Sequence, residues 1–276
     1  MKTYLLLLLL TLNTGYIFSQ TAPLDQDLQK TKKGSFYAYW GWNRGSFTKS
    51  DIQFSGADYD FVLSDAVAKD KPAPFTIKRY FYPPKATVPQ YNLRIGYYFK
   101  ENWDLSFGVD HMKYVLQQDQ VATIDGAINN SGTVYDGVYT NDQITITTDF
   151  LKFEHTDGLN YMNFELRHTD QLLDYKNLNI SVKEGAGLGF VVTKTNTKLL
   201  NKERYDKYHI TGYGLGGVVA LNLTFYERFF IQTEGKAGFI NLPNIRTTAS
   251  KTDSANQHFF FAQFNVVFGY IFNINK

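Results

Sequence analysis

Residues 91–99 read Tyr-Asn-Leu-Arg-Ile-Gly-Tyr-Tyr-Phe; after Lys100-Glu101-Asn102 the pattern resumes as Trp103-Asp104-Leu105-Ser106-Phe107-Gly108-Val109-Asp110. Tyr91, Leu93, Ile95, Tyr97 and Phe99 take every second place, with Asn92, Arg94, Gly96 and Tyr98 between them. Strict period two over about ten residues, aromatic at the ends and small or charged on the opposite face, is what a membrane-spanning β-strand requires. Two such runs across a tight turn predict a transmembrane hairpin.

Six more stretches test whether the hairpin is repeated. Ser35 to Arg44 sets Phe36, Ala38, Trp40 and Trp42 outward, with Tyr37, Tyr39 and Asn43 inward. The alternation returns at Tyr161 to Arg167, Leu178 to Val192, Tyr213 to Phe225, Phe229 to Phe239 and Phe260 to Phe272. With the two strands of the hairpin, this makes an eight-stranded antiparallel up-and-down barrel closed by an aromatic C-terminal strand. A ten-stranded barrel is the alternative, with Asp119 to Ile124 and Gln143 to Thr148 as spans. We expect those two segments to extend the third and fourth strands above the membrane.

The N-terminus gives the same address. Lys2, the apolar run Leu5 to Leu10 and small residues near Ser19 have the order of a secretory signal peptide, too short to cross a bilayer. Residues 1–20 are therefore expected to be removed, 21–34 to form a periplasmic segment and 35–276 the barrel. The chain has no cysteine, which excludes disulfides and a thiolate metal site. Mean hydropathy is −0.30 although 20 Tyr and 23 Phe are present, because a barrel hides its apolar residues in alternate positions. A net charge of +2 that still counts Lys2 gives no nucleic-acid surface.

Connections set the orientation. Turns at 100–102 and 226–228 are tight, and that between the fourth and fifth strands is expected to be about ten residues. Gly45 to Pro89 and Val115 to Gly158 are long and are expected outside, where five of the seven prolines lie in the first of them. Glu184 resists the pattern, since it falls on the lipid face of its strand. Either a bulge at Lys183-Glu184 turns it inward, or the membrane portion begins there and Leu178 to Val182 belongs to a periplasmic extension, the arrangement we expect.

On the signal peptide, alternating strands and aromatic last strand, the chain resembles outer-membrane β-barrel proteins of Gram-negative bacteria, of the small OmpA, OmpX and OmpW type. The resemblance implies a fold and an integral outer-membrane location, among outer-membrane lipids and lipopolysaccharide. It carries no functional residues across.

Candidate chemistry comes from three groups. Arg94, Asp104, Asp110, Glu165, Arg167, Glu234 and Lys236 point inward and are expected to pair as an ionic core, Arg94 meeting Glu234 directly or through one residue. Gly185, Gly187 and Gly189 on one strand and Gly212, Gly214 and Gly216 on the next clear one wall of the lumen, space that Tyr37, Tyr39 or Phe230 are expected to fill. His111, at the outer rim beside Tyr91, is the candidate general base for lipid hydrolysis, although no serine shares its face. His168-Thr169-Asp170 superficially resembles a deacylase element but lacks its serine. Asp51, Asp58, Asp60, Asp65 and Asp70 lack calcium-loop spacing, and no metal or cofactor is expected. Tyr80-Phe81-Tyr82 is expected to pack onto the barrel mouth. The reading is a structural or surface-binding protein acting through its long loops, with an unnamed extracellular or periplasmic partner. A narrow channel, a hydrophobic-ligand carrier opening beside the glycines, and an acyl hydrolase are the alternatives.

Overall fold

In the computed structural model, residues 32–85, 88–205 and 207–274 are described; the expected signal peptide and most of the 21–34 segment lie outside them. Eight strands form a ring: β1 (Phe36–Phe47), β5 (Tyr91–Lys100), β6 (Trp103–Leu116), β9 (Leu151–Tyr175), β10 (Leu178–Lys194), β12 (Tyr208–Phe225), β13 (Phe229–Arg246) and β14 (Ser254–Phe272). Each is antiparallel to its neighbours, and β14 pairs with β1 along twelve positions from Phe36↔Phe272 to Phe47↔Phe261, which closes the barrel. Following paired residues from Phe36 through Tyr97, Leu105, Leu166, Ala186, Gly217, Ala237 and Ala262 returns to β1 at Ser46, ten residues on. Eight strands with that stagger tilt by about 45° and enclose a space just wide enough for side chains.

Alternation sorts the two faces. Tyr37, Tyr39, Asn43, Asn92, Arg94 and Tyr98 are buried inside. Outside, Ile95 (56% exposed), Phe164 (52%), Leu188 (69%) and Phe264 (57%) belong to a continuous apolar belt. A belt of that extent would aggregate in water and is matched by lipid. Aromatic pairs such as Phe36 with Tyr97 and Phe229 with Tyr270 mark the end of the belt that carries the short turns.

The long connections are folded, which corrects their reading as loops. β2 (Ser50–Ser55) adds to the upper end of β14, β3 (Tyr59–Ala66) to β2, β7 (Val121–Ile128) to β3, and β8 (Gly137–Thr145) to β7. The two segments expected to prolong the third and fourth strands thus form a hairpin of their own, attached through β3. β4 (Ala68–Asp70) pairs with β6, and β11 (Asn196–Leu199) with β9. Ile52, Phe54, Phe61, Leu63, Ile124, Phe150 and Phe153, all fully buried, make an apolar core for this cap, continuous with Tyr161 and Phe261 at the upper end of the ring.

One further difference and one unrealised alternative concern the opposite end. The connection after β9 is two residues, Lys176-Asn177, rather than about ten, because β9 runs on to Tyr175. No irregularity occurs at Lys183-Glu184; the register shift lies at Ile180/Ser181, and Glu184 points outward, opposite His168. Leu178 to Val182 continue the strand, paired on both sides.

Candidate functional site: a closed lumen beneath a folded cap

Glu165 on β9 is the hub of the lumen. Its Oε1 accepts from Arg94 Nη2 (2.8 Å) and from Lys236 Nζ (2.5 Å), and its Oε2 accepts from Arg167 Nη2 (2.6 Å) and Nε (2.7 Å). Arg167 also donates from Nη1 to Glu234 Oε1 at 2.7 Å, and Lys236 to Asp110 Oδ2 at 2.5 Å. Nearer the short turns, Lys183 donates to Tyr98 Oη at 2.7 Å and to Asp104 Oδ2 at 3.3 Å, while Tyr37 donates to Asp104 Oδ1 at 2.7 Å. Arg94, Arg167, Lys183 and Lys236 are therefore matched by Asp104, Asp110, Glu165 and Glu234, all eight at most 4% exposed. Charges this buried persist only when partnered, and here every one has an opposite charge in contact.

All seven sequence-derived luminal charges lie in this network. Arg94 reaches Glu234 through one residue: its Nε donates to Tyr39 Oη at 3.0 Å, and that hydroxyl donates to Glu234 Oε1 at 3.0 Å. Lys183 was absent from that set, although with Glu184 facing lipid the same alternation turns it inward between Val182 and Glu184. Neutral members were missed as well. Asn163 accepts from Arg94 and donates to Asp110, and Asn265 donates to Glu234. Their signal was the same alternation, which places Asn as readily as Arg on the wet face.

The glycine rows face each other as expected, Gly187↔Gly216 and Gly189↔Gly214. What covers them differs. A Cβ on Gly185 would strike Arg167 Cγ at 2.8 Å, one on Gly187 would strike Glu165 Cγ at 2.5 Å, and one on Gly214 would strike Tyr161 Cε2 at 2.9 Å. The neighbouring β9 thus lays its own hub over the strip, whereas Tyr37 lies over Gly96 and Phe230 over Gly269. A Cβ on Gly212 would strike the Asn241 carbonyl oxygen, and one on Gly216 would come within 2.8 Å of the Ala237 carbonyl oxygen.

His111 is 6% exposed, its ring stacked on Tyr91 at 5.0 Å and its Nδ1 bonded to Asn160 Oδ1 at 2.7 Å. Neither contact offers a nucleophile, and Ser106 is engaged inside with Arg94. On the outer face below, His168 leans on Trp103 and lies 3.5 Å from Asp170, with Glu184 completing a group whose ligand atoms fall within 4.8 Å of one another. Two of the loop aspartates accept backbone amides, Asp51 from Asp65 and Asp70 from Gly45.

Above the belt, His155 is fully buried in the cap core between the rings of Tyr114 and Phe153. Gln257 donates to its Nε2 (3.3 Å), so Nδ1 carries the proton and donates to Thr195 Oγ1 (2.8 Å). Burial, with a smaller contribution from His209, pushes the imidazole down to about 3.

No family profile matches the chain, and no curated protein matches it. Solved structures similar in chain path are outer-membrane barrels. OprG from Pseudomonas aeruginosa is 12% identical, covering 90% of this chain and 100% of its own at a TM-score of 0.37. Ail of Yersinia pestis is 11% identical over 87% and 99% at 0.33, and AlkL is 10% identical over 93% and 99% at 0.38. Identities this low assign no residue's role. The closed ring, the apolar belt and the polar, filled interior make this protein an integral outer-membrane β-barrel.

Proposed function

We propose that the protein is a surface-binding barrel whose recognition element is the extracellular cap, the barrel serving as its anchor. One observation carries the reading. The two long connections are built into a sheet with its own apolar core, standing over a lumen occupied by four cations and four carboxylates in mutual contact. A lumen so filled gives a solute no path, and ordered excess structure outside a barrel is where binding residues concentrate. Within the cap, the sheet path ends on β8, which pairs with β7 and has no second partner strand among the described residues. Val138 on β8 and Val134 just before it are 80% and 90% exposed. Such an edge accepts an added strand from a partner.

The test replaces residues 48–89 and 117–149 by short Gly-containing turns. The shortened barrel is expected to insert and to keep heat-modifiable migration, but to lose the ligands that the intact protein retains on arrays of surface glycans and proteins. Retention of those ligands without the cap would overturn the reading.

A further inference from the structure

Residues 71–85 and 88–89 belong neither to the lumen nor to the cap sheet. They include Lys71, Lys78, Arg79 and Lys85, and no Asp or Glu occurs between Asp70 and Glu101. Thr76 caps a five-residue helix, α1 (Ile77–Phe81), by accepting from the Arg79 amide, and a 3-10 turn at Pro83–Lys85 follows. Tyr80 fixes this helix to the outside wall of the barrel rather than over its mouth. Its ring is 5.5 Å from that of Trp42, and its hydroxyl accepts from Arg44 Nη2 at 3.0 Å and donates to the Ala73 carbonyl at 2.8 Å. Phe81 lies 5.2 Å from the same indole, and Lys113 Nζ donates to the Val88 carbonyl at 2.9 Å. Trp42 is itself an outward belt residue, in contact with Trp40 and Phe268. The segment therefore continues the lipid-facing belt at its upper edge.

With Tyr80 buried, its neighbours are left outside. Phe75 is 69% exposed, Ile77 74% and Phe81 60%, and Tyr82 and Val88 are also exposed. Exposed Lys78 and Lys85 are interleaved with them. Apolar side chains with cationic tips, no acids and a position at the belt's rim are the composition of an element lying in a membrane interface. A second copy of the chain is a poor occupant, since a symmetric contact would set these cations against themselves.

We propose that Phe75 to Lys85, with Val88, is an interfacial clamp: its apolar side chains enter the outer leaflet beside β1, while Lys78, Arg79 and Lys85 hold the phosphate groups of anionic lipid. The native chain has no cysteine, so single nitroxide labels can be placed at Ile77 and, as a control in the cap, at Val134. The full protein is reconstituted in phosphatidylcholine alone, with added phosphatidylglycerol, or with added bis-phosphorylated lipid A. The label at 77 is expected to be relaxed by oxygen in preference to an aqueous nickel chelate, and the label at 134 the reverse. Anionic lipid should raise the thermal midpoint, and K78Q/R79Q/K85Q should lose at least half of that rise. A rise with lipid A alone assigns the site to the phosphorylated glycolipid; an equal rise with phosphatidylglycerol assigns it to any lipid phosphate. Aqueous accessibility at 77 equal to that at 134, spin–spin coupling between copies at 77, or an undiminished rise in the triple variant overturns the proposal.

Discussion

Glu165→Gln removes one charge from the lumen without changing its shape, and the contacts say which cation is stranded. Arg167 keeps Glu234 and Lys236 keeps Asp110. Arg94 is left with the neutral oxygens of Tyr39, Ser106 and Asn163. An unpaired cation that is 1% exposed should cost about 3–5 kcal/mol, the loss typical when one partner of a buried pair is removed. Adding Arg94→Gln restores the balance of charge, so the double variant should be more stable than the two single losses predict, by about 2–3 kcal/mol. Urea unfolding from lipid vesicles can measure this. Trp40, Trp42 and Trp103 all belong to strands of the ring and report exit from the bilayer, with gel heat-modifiability as a second probe. A loss below about 1 kcal/mol for Glu165→Gln, or strict additivity in the double variant, would mean that water already screens these charges, and the filled-lumen argument would fail.

Other expectations are independent of that cycle. Gly96→Val should push Tyr37 off its seat and away from Asp104, costing about 1–3 kcal/mol in the same unfolding assay with the strands still inserted. His155 is neutral in the folded cap down to about pH 3, whereas an unfolded histidine protonates near 6.5. Its contribution is therefore fully present above about pH 6.5 and is lost as pH falls toward 3, amounting to about 2 kcal/mol by pH 5. Hydrogen exchange of cap strands should accelerate over that window, and His155→Gln should flatten the dependence. An unchanged pH slope in that variant would assign it to other groups.

The ring was legible in the sequence because lipid tolerates few exceptions on the outward face. The outward positions from Phe260 to Phe272 are apolar throughout, and their partners on β1 are apolar from Phe36 to Trp42, giving way only at Arg44 and Ser46 near the upper end. The alternation stops where burial stops: Leu172, Leu173 and Asp174 are all exposed, so nothing marked the continuation of β9 to Tyr175. In the cap, residues 119–124 and 143–148 were legible as strand segments, each overlapping only part of β7 or β8, and their partners were not legible. The β3–β7 pairing joins Tyr59 to Ile128, a separation that local pattern does not encode. The luminal charges were legible by face, whereas their pairing depends on the stagger of the ring, which sets Tyr39 of β1 between Arg94 and Glu234. Tyr80-Phe81-Tyr82 was visible as a cluster, but its place on the outer wall rather than the mouth follows from its contacts with Trp42 and Arg44, which no local pattern marks as its partners.

Conductance across a planar bilayer tests the closed lumen most directly. With the ionic network seated, both the intact protein and the cap-shortened barrel should show no stepwise current at moderate voltage, while Glu165→Gln should admit brief openings. Steady ohmic openings from the intact protein would contradict the account.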